Sequence, residues 1–181
     1  MSVMAEVALE KGLDALSVRD VAKRAGISLA ALQYHYQSKD ALIAGFVETK
    51  LDEYRKEVGS IRSTSKPTAE LRSLIAHAVG QTLDKQTGDV FAMLEARSRH
   101  DPATALALDG FMRFYLETFR DVLLRRQPDL PLQDAQLAAT KIVAMIEGLS
   151  SVRSAANAMG LSVEDLHEAV ATMADTATLT T

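Results

Sequence analysis

Residues 17–42 read SVRDVAKRAGISLAALQYHYQSKDAL, and their local chemistry decides the fold. Ser17 can accept from an orphan backbone N–H at a helix start, and Asp20 three positions on supplies the reciprocal half of a capping box. Val18, Val21, Ala22 and Ala25 fall at helical spacing and leave Arg19, Lys23 and Arg24 on other faces. Gly26 ends this helix, because a left-handed backbone after a helix costs glycine little. Ile27 is expected as a buried plug. Ser28 caps a second helix, Leu29 to His35, too short to be stable alone and so dependent on its neighbours. Ser38 caps a third, whose stripe Leu42, Phe46, Leu51, Tyr54 and Val58 continues to residue 58. Two short helices about a glycine turn predict a helix-turn-helix, with the second as reading helix.

At these residues the chain resembles the TetR family of bacterial one-component repressors. Ser17, Val21, Ala22, Ala25, Gly26, Ile27, Ser28, Leu32, His35, Tyr36, Lys39 and Leu42 match or conservatively replace the motif T-x-x-x-I-A-x-x-A-G-V-S-x-x-x-L-Y-x-H-F-x-x-K-x-x-L. The resemblance implies an all-α protein: an amino-terminal three-helix helix-turn-helix domain, joined by a shared helix to a helical ligand-binding and dimerisation domain. It further implies a homodimeric repressor released from a palindromic operator by a small, largely apolar effector. Two departures stand out. Gln33 occupies the family's tyrosine position, and Leu29, Ala30 and Ala31 stand where Lys, Gly and Thr are frequent. Base readout is therefore expected from thymine methyl contacts by Leu29, Ala30 or Ala31 and from Gln33, whose amide can pair bidentately with adenine. By the motif's register Met1 falls inside the family's first helix, so the basic arm before it is expected to be missing, through truncation or a short natural start.

Phosphate contacts are expected from Arg19 and Lys39 in first turns, beside Ser17 and Ser28, and backbone contacts from Tyr34 and His35. Tyr36 is expected in the core position that the family gives to phenylalanine. A net charge of −4 speaks against a nucleic-acid binder only if averaged over the chain. Locally Arg19, Lys23, Arg24 and Lys39 face Asp20 and Asp40, and the local field is what phosphates meet.

Residues 59–67, GSIRSTSKP, are a serine-rich, proline-ended break, dividing the chain into a 1–58 DNA-binding domain and a 67–175 ligand and dimer domain. Leu71, Leu74, Ile75, Ala78, Val79, Thr82 and Leu83 form a helical stripe that Gly88 is expected to end. Helices are then expected over Val90 to Arg99, Ala103 to Arg126, Leu132 to Met159 and Ser162 to Ala174, the last opened by a second capping box, Ser162 and Asp165. The tail 176–181 lacks a pattern and is expected to be disordered.

Phe91, Met93, Phe111, Tyr115, Phe119 and Met145 could line an effector pocket or be ordinary core. Arg97 and Glu147 lie within apolar stripes, where a charge must be paired, solvated or bound to a ligand. The apolar surface of 132–159 exceeds one stripe, which points to a dimer interface at Ile142, Leu149, Val163, Leu166, Val170 and Met173.

The chain has no cysteine, so thiolate and disulfide chemistry are excluded. His77, His100 and His167, with Glu95, Asp101 and Glu147, match no metal-site spacing, and Gly148-Leu149-Ser150-Ser151 lacks the strand that a nucleophile elbow needs. No catalytic residue, metal or cofactor is therefore expected. No segment approaches about 18 uncharged apolar residues, and no charged leader precedes an apolar run, so a soluble, cytoplasmic protein is expected. The rivals are a ligand-independent DNA-binding or partner-binding helical module and, less compatible with these spacings, a helical-bundle enzyme.

Overall fold

The computed structural model describes residues 3–177. Among them run nine helices and no strand: α1 (Val3–Lys11), α2 (Val18–Ala25), α3 (Leu29–His35), α4 (Lys39–Thr64), α5 (Pro67–Leu83), α6 (Thr87–Ser98), α7 (Pro102–Arg126), α8 (Leu132–Ala158) and α9 (Val163–Ala177).

The chain forms two compact units. The first gathers the residues up to Glu53 together with Lys85–Phe111. Its core joins Val7 and Ala8 of α1, Val21 and Ala22 of α2, Leu32 of α3, Leu42, Ile43 and Phe46 of α4, Val90 and Leu94 of α6 and Leu108 of α7. The second takes Tyr54–Asp84 and the chain from Met112. Leu71, Leu74 and Ile75 of α5, Phe119 and Leu123 of α7, and Ile142 and Ile146 of α8 are fully buried there. Its α9 is held by Arg72 of α5, which donates to Glu168 at 2.9 Å and Asp175 at 3.1 Å, and by Arg126 of α7, which donates to Asp175 at 2.7 Å.

These units depart from a single boundary at 59–67. Residues 85–111 return to the first unit because Val90, Leu94 and Leu108 find their apolar partners there. The expected break is also shorter, since α4 runs to Thr64. A glycine inside a helix costs only about 1 kcal/mol. Around Gly59, Val58 is buried, and Ser63 and Thr64 return hydroxyl bonds to the Ser60 carbonyl. Gly88 does not end α5, which stops at Leu83; it lies buried in the first turn of α6. The expected disordered tail is helical as far as Ala177, while Thr178–Thr181 and the start, Met1 and Ser2, lie outside the described residues.

Candidate nucleic-acid interface

The α2–turn–α3 segment is built by the contacts its residues invite. Ser17 Oγ accepts from the Asp20 N–H at 3.2 Å, and the Asp20 carboxylate accepts from the Ser17 N–H and O–H at 3.2 and 2.6 Å. Lys11 Nζ also donates to Asp20, at 2.5 Å. This ammonium above all, with the Ser17 bonds, lowers the Asp20 pKa to about 2. Gly26 takes φ 69°, and the Ile27 N–H donates to the Ala22 carbonyl at 3.1 Å, so the exposed carbonyls at the end of α2 are satisfied across a sharp turn. Ser28 Oγ then accepts from the Ala31 N–H at 3.1 Å and starts α3.

Ile27 is not the expected plug. It is 46% exposed, because the turn spends its backbone on closing α2 and leaves the side chain at the surface. The anchoring falls to Leu32, buried, and to Leu29 and Tyr36, partly buried against the first unit's core. The Tyr36 ring lies over Gly45 of α4 so closely that a Cβ there would overlap it.

Ala30, Ala31, Gln33, Tyr34 and His35 are exposed. Tyr34 is 82% exposed and meets His35 edge-on at 5.1 Å. Of the expected methyl readers, Leu29 is the one turned partly into the core.

The cations sort differently from their sequence order. Arg19 and Lys23 are exposed, and neither makes a side-chain bond among the described residues. Arg24 is held by Glu10 and, at 3.3 Å, by Glu6 of α1. Lys39 donates to the Asp14 carbonyl at 2.8 Å, so the expected phosphate ligand already has a structural bond. The open positive charge on α2 is thus Arg19 and Lys23.

The expected effector residues divide between the units. In the first, Phe91 packs on Phe111 at 4.9 Å and on Phe46 at 6.4 Å, with Met93 against the same core. Arg97 is paired: its guanidinium lies 2.9 Å from Asp14, 2.6 Å from Asp101 and 3.5 Å from Asp40, and its Nε donates to Thr104 at 3.3 Å. In the second unit Tyr115 is buried, its ring 5.5 Å from both Tyr54 and Phe119. Burial, then the neighbouring Tyr54 and Glu147, pushes the Tyr115 hydroxyl well above its ordinary pKa, and that hydroxyl is hydrogen-bonded to Glu147 and Thr82. Phe119 is fully buried, and Met145 is half-buried.

Two polar groups here, Tyr54 and Glu70, escaped sequence reasoning, and a third, His77, was weighed there only against metal-site spacing. Tyr54 is buried inside an apolar stripe, which concealed its hydroxyl; burial, with Glu147 and Glu57 nearby, raises its pKa. His77 stacks on Tyr54 at 5.4 Å, with Nε2 2.9 Å from Glu57. Glu70 is 6% exposed between Arg125 at 2.6 Å and Arg62 at 3.3 Å, and the 55-residue separation from Arg125 left no local signal.

Of the expected dimer residues, Ile142 and Val170 are buried within the chain itself, so they offer no surface to a second copy. Leu149 and Leu166 are half-buried, and Val163 and Met173 are exposed. No group of three or more metal-capable side chains occurs among the described residues, and no described helix is long and apolar enough to cross a membrane.

Residues 2–45 match the family of bacterial regulatory proteins, tetR family, and residues 67–178 match the carboxy-terminal region of the BetI-type transcriptional repressor. The HTH-type transcriptional repressor KstR2 of Rhodococcus jostii is 36% identical over 64 residues, 33% of this chain and 31% of that protein. The chain thus spans about a third of the length of that relative. A transcriptional regulator from Rhodococcus sp. is similar in structure at TM-score 0.77 and 24% identity, over 96% of this chain and 91% of that one. A transcriptional regulator, FadR of Bacillus subtilis, solved in complex with stearoyl-CoA, is similar at TM-score 0.76 and 16% identity, over 95% and 94%. At these identities the structural likeness speaks to the fold.

Proposed function

Because the chain belongs to the TetR family of bacterial regulatory proteins, a family of regulators rather than enzymes, we infer that it is a DNA-binding transcriptional repressor whose α3 enters the major groove of a palindromic operator. The observation that carries this reading is the capped α2–turn–α3 pair, with Gln33 and Tyr34 standing out of α3 and Arg19 and Lys23 open on α2. The first helix of such a pair crosses the phosphate backbone while the second reads bases. Arg19 and Lys23 serve the first task, Tyr34 and His35 add backbone contacts, and Lys39 supports the fold of the reading head.

The repressor acts as a homodimer, which sets two reading heads about 34–36 Å apart on one face of the duplex. The face assigned to the partner copy is the outer side of α8 and α9, where Leu137, Ala144, Gly148, Val152, Val163 and Met173 are exposed. In functional terms residues 1–58 carry DNA recognition and 67–175 carry effector binding and dimerisation. An effector with an apolar body binds in the second unit around Tyr115, Phe119, Met145 and Glu147. α4 supplies Leu42 and Phe46 to one unit and Tyr54 and Val58 to the other, so effector binding that shifts it alters the reading head. Such coupling is reciprocal and typically amounts to about 1–3 kcal/mol.

Fluorescence anisotropy of the full chain on DNA flanking its own gene, with random-sequence competitor, tests the reading. Preferential binding to a two-fold symmetric site supports it, and equal affinity for all duplexes overturns it. A thermal-shift screen of acyl-CoA thioesters and fatty acids tests the effector arm, since a ligand of the native state raises the melting temperature. A compound that raises the melting temperature should also release operator, and Glu147→Gln should abolish both responses while the free protein still binds DNA.

A further inference from the structure

We propose that the α3 reading face selects a half-site core of A·T pairs, through methyl contacts of Ala30 and Ala31 with thymine and the Gln33 amide on an adenine, with no guanine read by a cation. This rests on the DNA-binding reading above and deepens it. From Ala25 to Ser38 the chain carries neither lysine nor arginine. The commonest specific contact to guanine is an Arg or Lys fork on its O6 and N7, and α3 has no group to make it. Nearby cations do not fill the gap. Arg24 is held by Glu6 and Glu10, Lys39 by the Asp14 carbonyl, and Lys11 by Asp20.

The exposed side chains nearest the start of α3 are Ala30, Ala31 and Gln33, and it is the N-terminal part of a reading helix that meets base edges. Leu29 is turned partly into the core, which reduces the bulk that would hold the backbone off the groove floor. Two alanine methyls can then approach the thymine C5-methyl, the one apolar group the major groove displays. Gln33 carries a donor and an acceptor on one planar amide, the complement of adenine N6–H and N7. Arg19 and Lys23 sit on α2, the helix that crosses the backbone, and address phosphate without regard to sequence.

The experiment is in vitro selection by the full chain from a random duplex library, followed by binding to the selected site and two modified copies. In one copy each core thymine is replaced by uracil, which removes only the C5-methyl. In the other the core adenine becomes 7-deazaadenine, which removes only N7. The selected core should be A·T, and uracil should weaken binding roughly fourfold per methyl, the fold-change equivalent to about 0.8 kcal/mol per buried methylene-sized group. The 7-deaza copy should weaken binding to wild type and leave Gln33→Ala unaffected. Gln33→Arg, at an exposed site that folding does not need, should move the preference at that pair from A·T to G·C. A guanine in every selected core, or indifference to both modified copies, overturns the proposal while leaving DNA binding intact. No enrichment above the starting library overturns the DNA-binding reading itself, and this proposal with it.

Discussion

Replacing Gly45 by alanine puts a methyl group into the Tyr36 ring, whose Cζ and Oη would lie 3.1 and 3.2 Å from the new Cβ, with Cε1 closer still. Tyr36 caps the end of α3, so its displacement loosens the reading helix directly. Two opposed effects set the magnitude. Alanine in mid-helix stabilises by about 1 kcal/mol relative to glycine. Overpacking typically costs about 1–3 kcal/mol, and the half-buried ring can tilt outward, which places the cost toward the lower end. Gly45→Ala alone should therefore be neutral to destabilising by about 1 kcal/mol, since propensity and overlap nearly cancel. In a Tyr36→Ala background the overlap is gone, and the same substitution should stabilise by about 1 kcal/mol. Urea unfolding of the four proteins gives the coupling, expected at about 1–2 kcal/mol. Operator affinity should fall for Gly45→Ala in the wild-type background. Equal stabilisation by Gly45→Ala in both backgrounds would refute the close approach and the role of Gly45 in admitting the ring.

Arg19→Ala and Lys23→Ala should each flatten the slope of log K against log salt by about one and weaken specific and random DNA alike. Lys39→Ala should leave that slope unchanged and lower the melting temperature instead, because its ammonium holds the Asp14 carbonyl. Arg97→Ala should cost about 1–2 kcal/mol of stability, between an exposed pair and a buried one, and should lower operator affinity without effector, since it releases Asp14 and Asp40 around the start of α4. A variant that kept wild-type stability would deny the Arg97 pairs any structural weight. For Asp20 the folded pKa is depressed, so its contribution is present above the unfolded value near pH 4 and is lost as pH falls toward about 2. The stability difference between wild type and Asp20→Asn should shrink through that window. A difference independent of pH between 2 and 6 would show that the Lys11 and Ser17 bonds do not stabilise the carboxylate.

The reading head was legible in the sequence because its determinants act over a few residues. Ser17 with Asp20, Gly26 at the turn and Ser28 with Ala31 satisfy orphan backbone groups within four positions, and no distant contact is needed to place them. Helix periodicity likewise set most of α5 to α9, because a buried stripe repeats at a fixed local interval whatever it packs against. The partners of charges were decided by the tertiary structure. Arg97 meets Asp14 and Asp40 across 83 and 57 residues, and Glu70 meets Arg125 across 55. Burial of an apolar residue was likewise settled by its neighbours, which left Ile27 exposed, buried Ile142 inside its own chain and returned residues 85–111 to the first unit. Caps and periodicity are short-range because a backbone hydrogen bond spans one turn. Ion pairing and burial depend on which surfaces the chain brings together after its loops close, and a linear pattern carries no record of that choice.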